Sequence, residues 1–233
     1  STTAKPTAAE SWRMFDRIAP RYDLLNRLLS FRRDVAWRRA MIRALPAGDA
    51  LRVLDLATGT ADVLLAMCRD RKKIRRAIGV DKSGGMLALG KQKAAQTTQA
   101  EFLHGDAQAL SFADGSFDAI TIAFGIRNVP DVPAALREMR RVLRPGGRAL
   151  ILEFSTPANP IFRSLYFFYF RHVLPRIGAA ISGDAQAYKY LNETAEAFPS
   201  GDAFARLMRE SCSIDVKSRP LTFGIATLYT GET

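Results

Sequence analysis

Apolar and polar positions divide the chain into two regimes. From Leu51 onward, short apolar runs alternate with longer amphipathic ones, the pattern of strands and helices taking turns in a parallel sheet. The runs predict strands near residues 51–56, 76–80, 100–104, 117–123 and 147–154, with helices near 61–70, 84–95 and 132–143 between them. Two further strands are expected near 213–219 and 222–230, joined tightly at Arg219-Pro220-Leu221 as an antiparallel hairpin at the sheet edge. Ahead of this core, residues 10–45 read as a helical extension, broken at Pro20 and stopped at Pro46-Ala47-Gly48. Between the fifth strand and the hairpin lies a helical insert, residues 156–211. Its first half, Ile161 to Arg171, is dense in aromatic residues, with Arg163 and Arg171 towards its ends. The expectation is one α/β domain over residues 1–233, built on a mostly parallel, Rossmann-like, seven-stranded sheet.

The most informative junction is Val53-Leu54-Asp55-Leu56-Ala57-Thr58-Gly59-Thr60-Ala61-Asp62. A strand ends in a carboxylate, then small residues, then a helix-forming run. Small residues let backbone N–H groups approach a ligand, and the helix N-terminus follows. Asp55 bears on which ligand. A dinucleotide site carries G-x-G-x-x-G there to receive a pyrophosphate, which a carboxylate would repel. S-adenosylmethionine (SAM) has no phosphate and carries a sulfonium and an ammonium, which a carboxylate attracts. The loop, Ala57 to Thr60 with Asp55, is therefore expected to hold SAM.

Three later strand ends fit the same ligand. Asp81, with Lys82 beside it, follows the second strand, where a carboxylate can accept both ribose hydroxyls. Asp106 follows the third, placed to accept from the adenine amino group, with the Ala107 N–H facing the ring. The fourth ends in Thr121-Ile122-Ala123-Phe124-Gly125, whose backbone would border the methionine part at Ala123 and the methyl group beyond it. A lone aspartate after a strand is more often a helix cap or turn residue. An ordered set at consecutive strand ends, where open α/β sheets bind ligands, is not explained that way.

Composition changes this picture in two places. The net charge is +11, with basic clusters at Arg32 to Arg43, Arg69 to Arg76 and Arg137 to Arg148. Such a surface suits plain solvation, an anionic membrane or nucleic acid. The fourth strand end, Ala-Phe-Gly-Ile-Arg-Asn, lacks the Asn/Asp-Pro-Pro-aromatic run of base-nitrogen methylases, so no nucleic-acid partner is expected. Cys68 and Cys212 lie in different predicted helices and read as free thiols. No signal peptide and no membrane span are read in the chain, so a cytoplasmic location is expected.

Several stretches together resemble the ubiquinone/menaquinone biosynthesis C-methyltransferase family, from about Met14 to Tyr229. They are Tyr22-Asp23-Leu24-Leu25-Asn26 continuing to Trp37, Phe124-Gly125-Ile126-Arg127-Asn128-Val129, Arg141 to Ser155, Val173 to Gly178, and Tyr188-Lys189-Tyr190-Leu191. Asp34 departs from the family, whose members often carry histidine three residues before the tryptophan.

The resemblance implies a class I SAM-dependent methyltransferase that methylates a ring carbon of a polyprenylated hydroquinone, leaving S-adenosylhomocysteine, with no metal. Demethylmenaquinol is the favoured substrate, and the equivalent benzoquinol is the alternative. It implies catalytic roles for Arg127, Asn128 and Tyr22: an always-protonated arginine stabilises the forming phenolate, and Asn128 orients a water or a quinol hydroxyl. Phe124, Tyr188 and Tyr190 are expected to touch the ring. The only histidines, His104 and His172, are weaker candidates for moving a proton. The aromatic insert is expected either to pack on the core or to line a path for the isoprenoid tail near an anionic, peripheral membrane surface. A homodimer is left open, as are an RNA methyltransferase, which the basic charge favours weakly, and a non-catalytic scaffold role, which the intact cofactor set argues against.

Overall fold

The computed structural model describes residues 10–30, 32–69, 73–173, 176, 185–212 and 215–233. Its strands are β1 (Leu51–Leu56), β2 (Ile74–Asp81), β3 (Ala100–His104), β4 (Phe117–Ala123), β5 (Leu143–Phe154), β6 (Asp215–Leu221) and β7 (Ala226–Glu232). They form one sheet in the order β3-β2-β1-β4-β5-β7-β6. The first five are parallel, and β7 enters antiparallel between β5 and β6. Strands β1 and β4 are mostly apolar, and each is buried on both faces apart from a single position, as a parallel sheet covered by helices on both sides requires.

The helices are α1 (Ser11–Leu29), α2 (Arg33–Arg43), α3 (Asp62–Cys68), α4 (Gly84–Lys93), α5 (Val132–Val142), α6 (Pro160–Phe168), α7 (Ala185–Ala197) and α8 (Asp202–Cys212). Alternation along the strands splits the core in two. Leu54, Ile120 and Tyr229 pack with Leu136 and Met139 of α5 and Phe204 and Met208 of α8. Val53, Leu150 and Leu228 pack with Trp37 and Met41 of α2 and Leu64 and Met67 of α3. Both cysteines are free and buried.

Three expectations are corrected. Pro20 does not break the extension: α1 runs through it for 19 residues. The proline removes one rung, the N–H that would bond the Asp16 carbonyl, but Met14, Ile18 and Ala19 are buried beneath the helix and hold it. The edge hairpin does not turn at Arg219-Pro220-Leu221, which belongs to β6; a proline is tolerated on an edge strand. The turn follows it, where Thr222, Phe223 and Gly224 all have positive φ (44°, 58° and 88°). Finally, β5 begins at Leu143, ahead of the expected 147, with Arg144-Pro145-Gly146-Gly147 as a bulge within it. The register with β4 jumps from Phe117↔Leu143 to Ala119↔Arg148, and Gly146 takes φ 74°.

The insert forms α6, a π-helical turn at Tyr169–Val173, α7 and α8. Helix α6 buries none of its residues. Parts of two sequence stretches, residues 70–72 of the basic run and most of Leu174 to Gly178, lie outside the described residues, as do the side chains of Tyr22 and Tyr188.

Candidate active site

A cleft opens at the carboxyl ends of β1, β2 and β4. Its floor is formed by Ala57, Gly59, Asp81 and Ala123; one side carries Lys82, Asp106 and Ala107, and the other Phe124 and Asn128. The space is about 760 Å³ including open solvent. Ser11, Trp12 and Phe15 of α1 roof it.

The β1 loop owes its shape to buried hydrogen bonds. Asp55 does not line the cleft but lies beneath it. One carboxylate oxygen accepts the Thr121 hydroxyl and the other the Thr58 hydroxyl, both at 2.6 Å. Burial pushes the Asp55 carboxyl up to about 6, with the two hydroxyls opposing it. Above it, Ala57, Gly59 and Ala61 alternate in the left-handed region (φ 46°, 56° and 69°), which costs energy at the two alanines. The turn is held by Thr58 N–H to the Val80 carbonyl (3.1 Å) and Ala61 N–H to the Thr58 carbonyl (2.9 Å). Gly79 leaves room for Thr58, whose Cγ2 would lie 2.8 Å from an added Cβ.

Asp81 ties this loop to β2. One oxygen accepts the Gly59 N–H and the other the Ser83 N–H, each at 2.8 Å. Burial raises its carboxyl above the usual range against the pull of the Ser83, Gly59 and Lys82 amides. A carboxylate offers about four lone-pair sites, so both oxygens retain capacity for a diol. Asp106 faces the cleft but is paired with Lys82 at 2.6 Å. Burial raises it, and Lys82 with Gln108 outweighs that and holds it below the usual carboxylate range. A slot with a carboxylate for hydroxyls and a second carboxylate one strand away fits a cationic, phosphate-free nucleoside such as SAM.

Of the residues singled out from sequence, Ala57, Gly59, Asp81, Lys82, Asp106, Ala107, Ala123, Phe124 and Asn128 share this cleft. Asp55 and Thr58 support it from behind. Thr60 turns away and donates to Asp23 of α1. Tyr190 is buried in a separate cluster with Met14 and Ile18. Asp34 is buried in the first turn of α2, accepting the Ser30 hydroxyl at 2.7 Å and facing Arg38 at 3.2 Å. His104 Nε2 meets the Lys82 carbonyl, and His172 is exposed beside Phe168.

Arg127 stands behind the cleft wall. Its Nη1 donates to Glu153 Oε1 at 2.6 Å and to the Phe124 carbonyl at 2.8 Å. Its guanidinium lies 5.3 Å from the Phe154 ring centre, and Phe154 contacts Phe124 and Trp37 in turn. Burial raises the Glu153 carboxyl, with Arg127 opposing. Arg127 Nε, Glu153 Oε2 and Asn128 Oδ1 are buried with no hydrogen-bond partner among the described residues, at about 1–3 kcal/mol for each such group.

Sequence reasoning missed the roof. Asp16 accepts from the Ser83 hydroxyl and from the Gly85 N–H (2.9 Å) at the start of α4. Asp23 accepts from Thr60 and, at 2.6 Å, from Lys93 Nζ, which also bonds Asp62. The available signal was a pair of aspartates seven residues apart on the helical extension, which without the fold had no visible partners.

The model of the ubiE/COQ5 methyltransferase family matches residues 4–233. The chain is 50% identical over 222 residues to the ubiquinone/menaquinone biosynthesis C-methyltransferase UbiE of Geobacter sulfurreducens, covering 94% of this chain and 86% of that one. It is 47% identical over 220 residues to the demethylmenaquinone methyltransferase of Thermus thermophilus, covering 94% and 99%. Among solved structures, a SAM-dependent methyltransferase of Thermotoga maritima superposes with TM-score 0.68 at 20% identity, over 95% of this chain and 99% of that one. The [4+2]-cyclase SpnF superposes with TM-score 0.64 at 16% identity, over 99% and 97%; likeness at this level establishes the fold alone. The family-model match and the close relatives make this chain a member of the ubiE/COQ5 methyltransferase family.

Proposed function

We propose that this enzyme of quinone biosynthesis methylates a ring carbon of demethylmenaquinol, a polyprenylated naphthoquinol, with SAM as the methyl donor. The observation that carries the reading is the meeting, in one cleft, of the Asp81 and Gly59 wall with the Phe124–Asn128 turn. Bound SAM supplies an electrophilic methyl group. Asp81 would accept the ribose hydroxyls, Asp106 the adenine amino group, and Ala123 would border the methionine part. The flat Phe124 ring would lie against the quinol. Asn128 would orient a quinol hydroxyl or a water, and the charge of Arg127, just behind Phe124, favours a phenolate forming in front of it. Tyr22 and Tyr188 are proposed as further ring contacts.

The lipid tail needs a route from a membrane. Ile161, Leu165 and Phe168 of α6, with Phe223 of the β6–β7 turn, are exposed apolar side chains, and Phe162 stacks on Phe223 with ring centres 4.6 Å apart. Arg163 of α6 and Arg176, which follows that helix in the chain, are exposed. No described helix is long and apolar enough to cross a membrane. The reading is peripheral contact with the anionic cytoplasmic face of a membrane. The decisive experiment incubates the protein with methyl-labelled SAM and, separately, reduced demethylated naphthoquinols and benzoquinols, locating the label by mass spectrometry. Label on a naphthoquinol ring carbon is expected; label only on the benzoquinol would move the reading to ubiquinone synthesis, and no label would refute it.

A further inference from the structure

The ion pair behind the cleft has more polar capacity than it uses. Glu153 closes β5 with its side chain only 1% exposed. Its Oε1 already accepts from Arg127 Nη1 and from the Phe154 N–H at 2.8 Å. Its Oε2, Arg127 Nε and Asn128 Oδ1 are buried with no hydrogen-bond partner among the described residues. Stability gives no reason for this arrangement, because well-packed apolar residues commonly replace a buried ion pair without loss. Unmet polar atoms gathered on two adjoining segments, one of which faces the cleft, are better explained by a task there.

We infer that Glu153 is a positioning residue for methyl transfer: it fixes the Arg127 guanidinium, and through it the Phe124–Asn128 turn, so that this turn presents its polar groups to a quinol hydroxyl or to the water bound to it. The inference rests on the quinol reading above. The mechanical link is direct. Arg127 Nη1 bridges Glu153 and the Phe124 carbonyl, and Phe124 is held at φ 57°, a conformation its neighbours must enforce. Without Glu153 the bridge has one anchor, and both Phe124 and Asn128 lose their fixed orientation towards the cleft. The charged or titratable groups that act on Glu153, or on which it acts, are Arg127, the Tyr166 phenol of α6 and the Tyr229 phenol of β7, with Glu196 acting on Tyr166.

The test compares wild type, Glu153→Gln, Arg127→Met and the double variant Arg127→Met/Glu153→Leu, in the full chain. Melting temperature, calorimetric SAM affinity, kcat and KM for a short-tailed demethylnaphthoquinol, and the pH dependence of kcat are measured. Glu153→Gln keeps the shape and an acceptor oxygen. It is expected to melt and bind SAM like wild type while kcat falls roughly tenfold or more. The limb of the pH profile set by ionisation of the quinol hydroxyl should move to lower pH, because a negative charge behind the turn that faces it is gone. The double variant should fold and turn over no more slowly than Arg127→Met alone, as expected when two residues act as one unit. Wild-type kcat and an unmoved pH limb in Glu153→Gln would overturn the inference alone. So would a kcat loss matched by equal losses of SAM affinity and melting temperature. A wild-type protein that methylates no quinol would overturn the quinol reading and this role with it.

Discussion

Gly125 and Ala57 meet so closely at the mouth of the cleft that a methyl group on Gly125 would lie 2.5 Å from the Ala57 Cβ. The Gly125 backbone (φ −116°, ψ −27°) suits any residue, so space alone demands glycine. Ala57 cannot easily retreat, because it is held at φ 46° in the turn pinned by the Thr58–Val80 hydrogen bond. Gly125→Ala must therefore part the β1 and β4 loops. Overpacking of this kind costs about 1–3 kcal/mol, and the strain falls on the cofactor wall. SAM affinity is expected to drop by about tenfold or more, read by calorimetric titration, and an unchanged affinity would show that the two loops do not jointly shape the site.

Asp81→Ala should weaken SAM binding more. The carboxylate would lose its bonds to the ligand and also its hold on the Gly59 and Ser83 amides, both at 2.8 Å. One hydrogen bond to a charged group contributes about 1.5–3 kcal/mol, so the loss of a single ribose contact already predicts a drop of roughly 10- to 100-fold. The same titration decides it, and wild-type affinity in this variant would sink the cofactor assignment.

The sheet and the cofactor wall were legible because they follow local rules. Period and run length place β1 to β5, and a carboxylate at consecutive strand ends needs no tertiary knowledge to be noticed. What stayed hidden depends on distant partners. Pro20 read as a break because the packing of Met14 and Ile18 under α1 is invisible in one dimension. Arg219-Pro220 read as a turn because the left-handed run at Thr222–Gly224 contains only one glycine. Asp55 was expected to meet the ligand and instead is sealed under Thr58 and Thr121, since period 2 cannot say whether a strand's last carboxylate points up into the loop or across to its neighbour. Glu153 lay inside a stretch noted for its resemblance, but nothing in sequence links it to Arg127, 26 residues away.

The roof helix predicts a kinetic effect. Asp16 and Asp23 pin α1 to the start of α4 and to the β1 loop, and Trp12 and Phe15 cover the cleft between them. Cofactor entry and product release are expected to open these pins. Asp23→Ala removes a partly exposed pair with Lys93, which contributes no more than about 1 kcal/mol, and the acceptor of the buried Thr60 hydroxyl, whose loss costs about 1–3 kcal/mol. Equilibrium stability should fall by a few kcal/mol at most, while S-adenosylhomocysteine dissociates several-fold faster in a stopped-flow displacement assay. An unchanged dissociation rate would mean that ligand exchange bypasses α1.

Asp55 predicts a pH dependence with a definite sign. Its carboxyl is raised from 3.8 to about 6 in the folded protein, so the folded state binds the proton more tightly than the unfolded one. Its stabilising contribution is complete below about pH 4 and is lost as pH rises through 6, amounting to about 3 kcal/mol. Asp62 and Glu138, held below their usual values, act in the opposite direction, so the net profile alone is not diagnostic. The difference between wild type and Asp55→Asn is. Relative to wild type, the variant should gain stability between pH 4 and 7, measured by urea unfolding at each pH. A difference that stays flat across this range would show that Asp55 ionises normally beneath the loop.

The apolar face of α6 predicts selective membrane binding. Ile161 is 78% exposed and Phe223 69%, a cost in water that contact with a bilayer would reverse by roughly 25 cal/mol for each Å² buried. The two residues come from different elements, and the Phe162–Phe223 stack makes them one surface. Arg171 is engaged by Glu196 at 2.7 Å, so the attraction to anionic lipid falls chiefly to Arg163 and Arg176. Binding to vesicles containing anionic phospholipid should therefore exceed binding to neutral ones and weaken with salt. Leu165→Ser/Phe223→Ser should abolish most of the apolar part without altering SAM affinity. Kinetics separate the roles further: the variant should lose activity on a long-tailed quinol in vesicles and keep it on a short-tailed quinol in solution. Equal loss on both substrates would place these side chains in the catalytic cleft instead of on a lipid-facing surface.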